Sequence, residues 1–195
     1  MKNALILSCM LVGAACAGCT TVPETEFYTL ACRGVAPREK PLAATAVVHA
    51  YSAADAYDET QIAYRTSPYR LRYDHYRLWA GPPARLVREE FIRCLRAANL
   101  FGTVLTGGSG READYAVEGR VVEFYELGEG GERYAVLAME MRLLDKSGAL
   151  RLAAVHEAKV KAAAAGDLSG LAEAMSGALD EAFARFVDQA AKQIK

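Results

Sequence analysis

Hydrophobic and polar positions change their rhythm several times along the chain. Residues 4 to 15 ("ALILSCMLVGAA") carry no charge and follow Met1-Lys2-Asn3, which carries one positive charge. A short basic segment ahead of such a run has the form of a signal sequence, and the run is shorter than the about 20 apolar residues of a spanning helix. Beyond a polar stretch, brief alternating runs begin: "FYTL" (27–30), "ATAVVHAY" (44–51), "QIAYRT" (61–66) and "YRLRYDHY" (69–76). Alternation with β-branched and aromatic residues predicts strands, and Ser67-Pro68 predicts a turn between the last two. "RGVAPREKP" (33–41) and "SAADAYDE" (52–59) read as connections. The period then becomes helical. Pro82-Pro83 opens a helix whose first turn needs no N–H donors. Leu86, Val87, Phe91, Cys94, Leu95 and Ala98 form its apolar stripe, with Asn99 and Gly102 ending it.

The second half is more regular. "GTVLT" (102–106) predicts a short strand and "GGSGRE" (107–112) a loop. "ADYAVEGRVVEFYEL" (113–127), "YAVLAMEMRLLD" (134–145) and "ALRLAAVHEAKVKA" (149–162) predict a three-stranded meander, turned at Gly128–Glu132 and Lys146-Ser147-Gly148. The middle strand places Ala135, Leu137, Met139, Met141 and Leu143 on one face. From Asp167, the residues Leu168, Leu171, Met175, Ala178, Leu179, Ala182, Phe186 and Ala190 recur at helical spacing. The pattern predicts a single α+β domain, a mostly antiparallel sheet with two long amphipathic helices packed on one face.

Composition sharpens the opening. Residues 14 to 23 ("AACAGCTTVP") hold Ala17-Gly18-Cys19, the small-small-Cys form of a bacterial lipobox, in which the thiol takes a diacylglycerol. Cys19 is the expected lipid site and Cys16 the alternative; a cleaved, unlipidated signal is the plainer reading. The chain then divides into a signal peptide (1–18), a lipidated tether (19–26) and one domain (27–195). With 52% hydrophobic residues it has material for one sizeable core. A net charge of −1 gives neither the footprint of a nucleic-acid binder nor a polybasic lipid patch. Two cysteines remain in the domain, Cys32 and Cys94. They either pair, in a compartment that permits disulfides, or leave Cys94 as a buried thiol on its helix stripe.

Catalytic patterns are weak. "GGSG" (107–110) would need glycine where Arg111 stands to make a nucleophile elbow, and it lacks the lysine of a phosphate loop. His49, His75 and His156 stand apart, with no metal-ligand spacing among them, so neither metal nor cofactor is expected. The densest chemistry lies in residues 61 to 95, with clustered tyrosines, Arg65, the single tryptophan Trp79 and the Pro-Pro helix start. Trp79 either packs where strand meets helix or is an exposed anchor for a partner; the adjoining helix start favours packing.

In this order of features, "FYTL", "QIAYR" and "WAGPP" behind a lipobox, the chain resembles the ABC-type transport auxiliary lipoprotein family, which includes the lipoprotein of the paraquat-inducible operon. The resemblance covers nearly all of the mature chain and maps onto Tyr64, Arg65, Trp79, Pro82 and Pro83 as structural or interface positions. Gly81 departs from it, standing where an acidic residue is common. The resemblance implies a non-catalytic subunit of an envelope ABC system that partners a mammalian-cell-entry (MCE) domain protein. Such systems move lipid between inner and outer membranes. It also allows a homo-oligomer around the conduit end, and it implies no nucleotide on this chain. By analogy with enteric sorting, Thr20 after Cys19 points to the periplasmic face of the outer membrane. A small lipid-binding carrier and a structural, peptidoglycan-associated lipoprotein are the other classes in view.

Overall fold

A computed structural model describes residues 23–107, 112–163 and 168–194. The expected signal peptide, Cys16, Cys19 and Ser109 lie outside the described residues. In chain order the elements are β1 (Glu26–Tyr28), β2 (Leu42–Val48), β3 (Ser52–Ala53), β4 (Gln61–Ser67) and β5 (Arg70–Trp79), then α1 (Pro83–Ala97). There follow β6 (Phe101–Thr106), β7 (Tyr115–Glu129), β8 (Glu132–Asp145), β9 (Leu150–Lys161) and α2 (Ser169–Gln193). A short 3-10 turn, Asp55–Tyr57, bridges β3 and β4.

β7 organises a curled sheet. One of its edges pairs along the whole strand with β8, antiparallel, and β8 pairs in turn with β9. Its other edge receives β2, β3 and β4 one after another, all parallel, at Tyr115–Val117, Arg120–Val121 and Glu126–Leu127. β2 extends outward to β6 in parallel, while β4 pairs antiparallel with β5, which carries β1 in parallel. The sheet is therefore mixed, and the antiparallel arrangement expected from the turns holds only for the β4–β5 and β7–β8–β9 units. The reason is length: β7 has room for three short strands end to end, and no local signal encodes that partnership.

A bulge between Val121 and Glu123 inserts one residue and reverses the inward phase of β7. Val117 and Val121 face the core before it and Phe124 after it, all 1% exposed or less. On β8 the face Ala135, Leu137, Met139, Met141 and Leu143 is buried. The two helices cover different stretches: α2 lies along β8 and β9, whereas α1 meets β3, β6 and β7. They join where Phe91 of α1 packs edge-on against Phe183 and Phe186 of α2, at 5.1 and 5.6 Å between ring centroids. Asn99, at φ 53, ends the first helix, and Gly102 falls inside β6 instead of at the helix end. Among the described residues no helix is long and apolar enough to cross a membrane.

Candidate functional site

The segment between β1 and β2, read from sequence as loop, is a fixed strap across both helices. Four successive amides are taken by side chains: Ala31 donates to Ser176 Oγ at 3.0 Å and Cys32 to Glu90 Oε2 at 3.1 Å. Arg33 and Gly34 donate to the two oxygens of Asp180 at 3.0 and 3.1 Å. Glu90 is buried and also pairs with Arg93, so its carboxylate is both neutralised and hydrogen-bonded, as a buried charge requires. Nothing in the local sequence marks Glu90, Ser176 or Asp180 for this work.

Beneath the strap lies an open groove of 1100 Å³, bounded by β1, the end of β9 and the first half of α2. Its floor is built from small residues, including Ala162, Gly170, Ala174 and Gly177. Four of its charges are paired on the spot, Arg33 with Glu173 at 3.2 Å and Lys161 with Glu132 at 3.0 Å, while the fifth, Asp180, accepts the strap amides. Phe27, 67% exposed, stands at its rim. The arrangement offers apolar surface and paired ions, the chemistry of a docking or lipid-contacting groove.

None of the candidate site residues singled out by sequence is among the described residues that line this groove. Trp79 is 2% exposed and meets Phe124 edge-on at 5.1 Å, while its backbone N–H donates to Thr60 O at 2.7 Å. Ala80 donates to Tyr28 O at 2.7 Å, tying β1 to the helix entrance. Pro82 holds the cap position and Pro83 the first turn of α1. At Gly81 a Cβ would fall 2.3 Å from Arg85 Nη2, so the arginine occupies the space an acidic side chain would take. Arg65 donates to Tyr57 OH at 2.8 Å and lies 4.5 Å over the Tyr125 ring, which stacks on Tyr57. Burial raises the Tyr57 phenol, and Arg65 offsets only part of that. Tyr64 is half-buried opposite Arg72 and Glu126.

Cys32 and Cys94 are both free, and with Asp180 they bring their donor atoms within 4.8 Å of one another. The Cys32 thiol, hydrogen-bonded to Cys94 and partly buried, is held well above the ordinary thiol range, and Cys94 is held down by the same bond. As a metal site the trio is poorly supplied, because both carboxylate oxygens already accept amides of the strap. The histidines are scattered: His75 is exposed, His49 gives its carbonyl to Arg88 at 2.7 Å, and His156 is buried edge-on to Phe186.

The described residues form a single domain, a mixed curled sheet with two helices and an open groove at one end. The chain belongs to the family of ABC-type transport auxiliary lipoprotein components, whose sequence model matches residues 28–191. Its fold is similar to the crystal structure of protein XCC0632 from Xanthomonas campestris, with a TM-score of 0.74 at 19% identity, over 86% of this chain and 97% of that one. It is also similar to the structure of the hypothetical protein CT253 from Chlamydia trachomatis, with a TM-score of 0.53 at 10% identity, over 78% and 98% of the two chains. No curated protein matches the chain in sequence.

Proposed function

We propose that the chain is a non-catalytic, lipid-anchored subunit of an envelope ABC system, working beside an MCE-domain protein that conducts lipid between the inner and outer membranes. The supporting observation is the extent of the family match, which runs from the end of β1 through most of α2 and so takes in the whole domain. In this reading Cys19 carries the acyl groups and holds the domain on the periplasmic face of the outer membrane. Trp79, Pro82 and Pro83 shape the strand-to-helix corner, Tyr64 and Arg65 seat β4 on β7, and the groove is the surface offered to the conduit. Four of its five charges are paired with one another and the fifth, Asp180, is held by backbone amides, which suits contact with an apolar partner.

The test is capture. Acylated protein extracted in mild detergent after cross-linking is expected to bring down an MCE-domain protein, and Cys19→Ala is expected to leave the membrane fraction. The groove supports a second reading, a carrier that holds phospholipid itself. Native mass spectrometry separates the two: bound phospholipid with no MCE-domain partner assigns the carrier and overturns the subunit.

A further inference from the structure

The β4–β5 hairpin ends in an aromatic and basic tip. Tyr69, at the turn itself, is 100% exposed, and Tyr73 and Tyr76 lie further along β5, away from the tip. Arg70 and Arg72 are exposed, and neither meets a carboxylate among the described residues. The one acid of the strand, Asp74, is taken by Arg77 at 2.5 Å and by two backbone amides. The tip is thus positive on a chain whose net charge is −1.

The second observation is where the N-terminal segment enters. β1 runs parallel to β5, with Glu26 opposite Arg77 and Tyr28 opposite Trp79. The chain ahead of Glu26 therefore arrives from the side on which β5 begins, the side of the hairpin tip. From Cys19 to Glu26 the chain can reach at most about 25 Å. The same number of residues separates Arg70 from Arg77, so an acyl group on Cys19 can stand level with the tip.

We infer that this tip lies in the headgroup layer of the membrane that holds the anchor, with Tyr69 at the hydrocarbon boundary and Arg70 and Arg72 on phosphates of anionic phospholipid. Tyrosine joins an apolar ring to a polar end, and arginine matches phosphate in a fork. Two arginines bind a bilayer weakly by themselves, but a tether that ends beside them makes the second contact intramolecular. The inference rests on the acylation of Cys19.

The full acylated chain carrying Tyr69→Trp is placed in vesicles of phosphatidylethanolamine and phosphatidylglycerol with brominated acyl chains. Leu150→Trp, exposed at the opposite end of the sheet, is the control, and buried Trp79 is a constant background. A blue shift and loss of most of the added emission at position 69 alone is expected. A water-like, unquenched signal on acylated protein overturns the hairpin placement and leaves the anchor standing. A blue shift that grows with protein concentration without bromine quenching assigns the tip to protein contact and also overturns it. Mass spectrometry finding no diacylglyceryl group on Cys19 overturns the anchor and this inference together.

Independently, we infer that Cys32 and Cys94 close to a disulfide, on the observation that their sulfurs already lie within 4.8 Å. Cys32 is half-exposed and within reach of an incoming disulfide, while Cys94 is buried behind it. Exchange forms a mixed disulfide on one of the two cysteines, and the sulfur of the other then displaces the carrier. The protein loses two protons and two electrons, and the incoming disulfide leaves as two thiols. Protein trapped with an alkylating agent at lysis should yield a Cys32–Cys94 cross-linked peptide. Reductant should lower the melting temperature of the wild type and leave Cys32→Ser unmoved. Full alkylation of both thiols overturns the bond, as does native mass showing zinc bound to the reduced pair.

Discussion

Trp79 ends β5, pairs through its backbone with β1 and packs its ring on Phe124 of β7, so one residue links three elements. Trp79→Ala removes the largest side chain of that corner and should cost about 3–5 kcal/mol, read as a steep fall in melting temperature. Its native emission should be blue-shifted and resist acrylamide, since it is 2% exposed. His156 makes a different kind of prediction. It is buried opposite Met139, its Nε2 has no partner among the described residues, and burial, followed by the Arg185 charge, lowers its basicity below the ordinary 6.5. The unfolded chain therefore takes up a proton as pH falls through about 6.5 while the fold does not, and protonation favours unfolding. Stability should rise with pH across that window and level off above it. In melting curves from pH 5 to 8, His156→Gln should flatten this part of the profile; an unchanged slope would show that His156 is not its source.

At the scale of elements, β7 depends on a glycine. A Cβ on Gly119 would lie 2.5 Å from Cε2 and Cζ of Tyr51, whose ring is held against Phe91 at 6.0 Å. Gly119→Val should therefore displace Tyr51 and cost about 1–3 kcal/mol, measured by denaturant midpoint, despite the better strand propensity of valine. The longer strands and the helices were legible because each keeps its own period, and the hairpins because their turns carry residues such as Gly130, Gly131 and Gly148, all at positive φ, whereas β3, two residues within the stretch 52–59 read as a connection, was not. What was not legible is non-local. The parallel seats of β2, β3 and β4 on β7 depend on the length of a strand far along the chain. The strap of residues 31 to 34 is fixed by acceptors 58 to 147 positions away, and backbone amides carry no sequence signal of their own. The bulge at Val122 likewise hides in the alternation, because a phase reversal midway looks like two half-buried faces.

For the whole molecule, the sheet has two unlike ends. At the end where β7 finishes lie the entry of the N-terminal segment, the β4–β5 tip and the mouth of the groove, lined by Phe27, Glu132 and Lys161. The opposite end holds the β8–β9 turn, where Asp145 accepts hydrogen bonds from Ser147 and Ala149 and is held down to about 2. The groove mouth and the hairpin tip thus share one end of the sheet, and the β8–β9 turn lies at the other. Gly177 allows function to be separated from fold. It lies on α2, lines the groove, and a Cβ there meets nothing within 4 Å among the described residues. Gly177→Leu should raise helix stability by about 0.5–1 kcal/mol while filling groove volume. If the groove receives the partner or a lipid chain, this variant should melt higher and yet lose partner capture or bound phospholipid, together with envelope barrier function. A variant that melts higher and keeps all of these would move the working surface away from the groove, to another part of the same end.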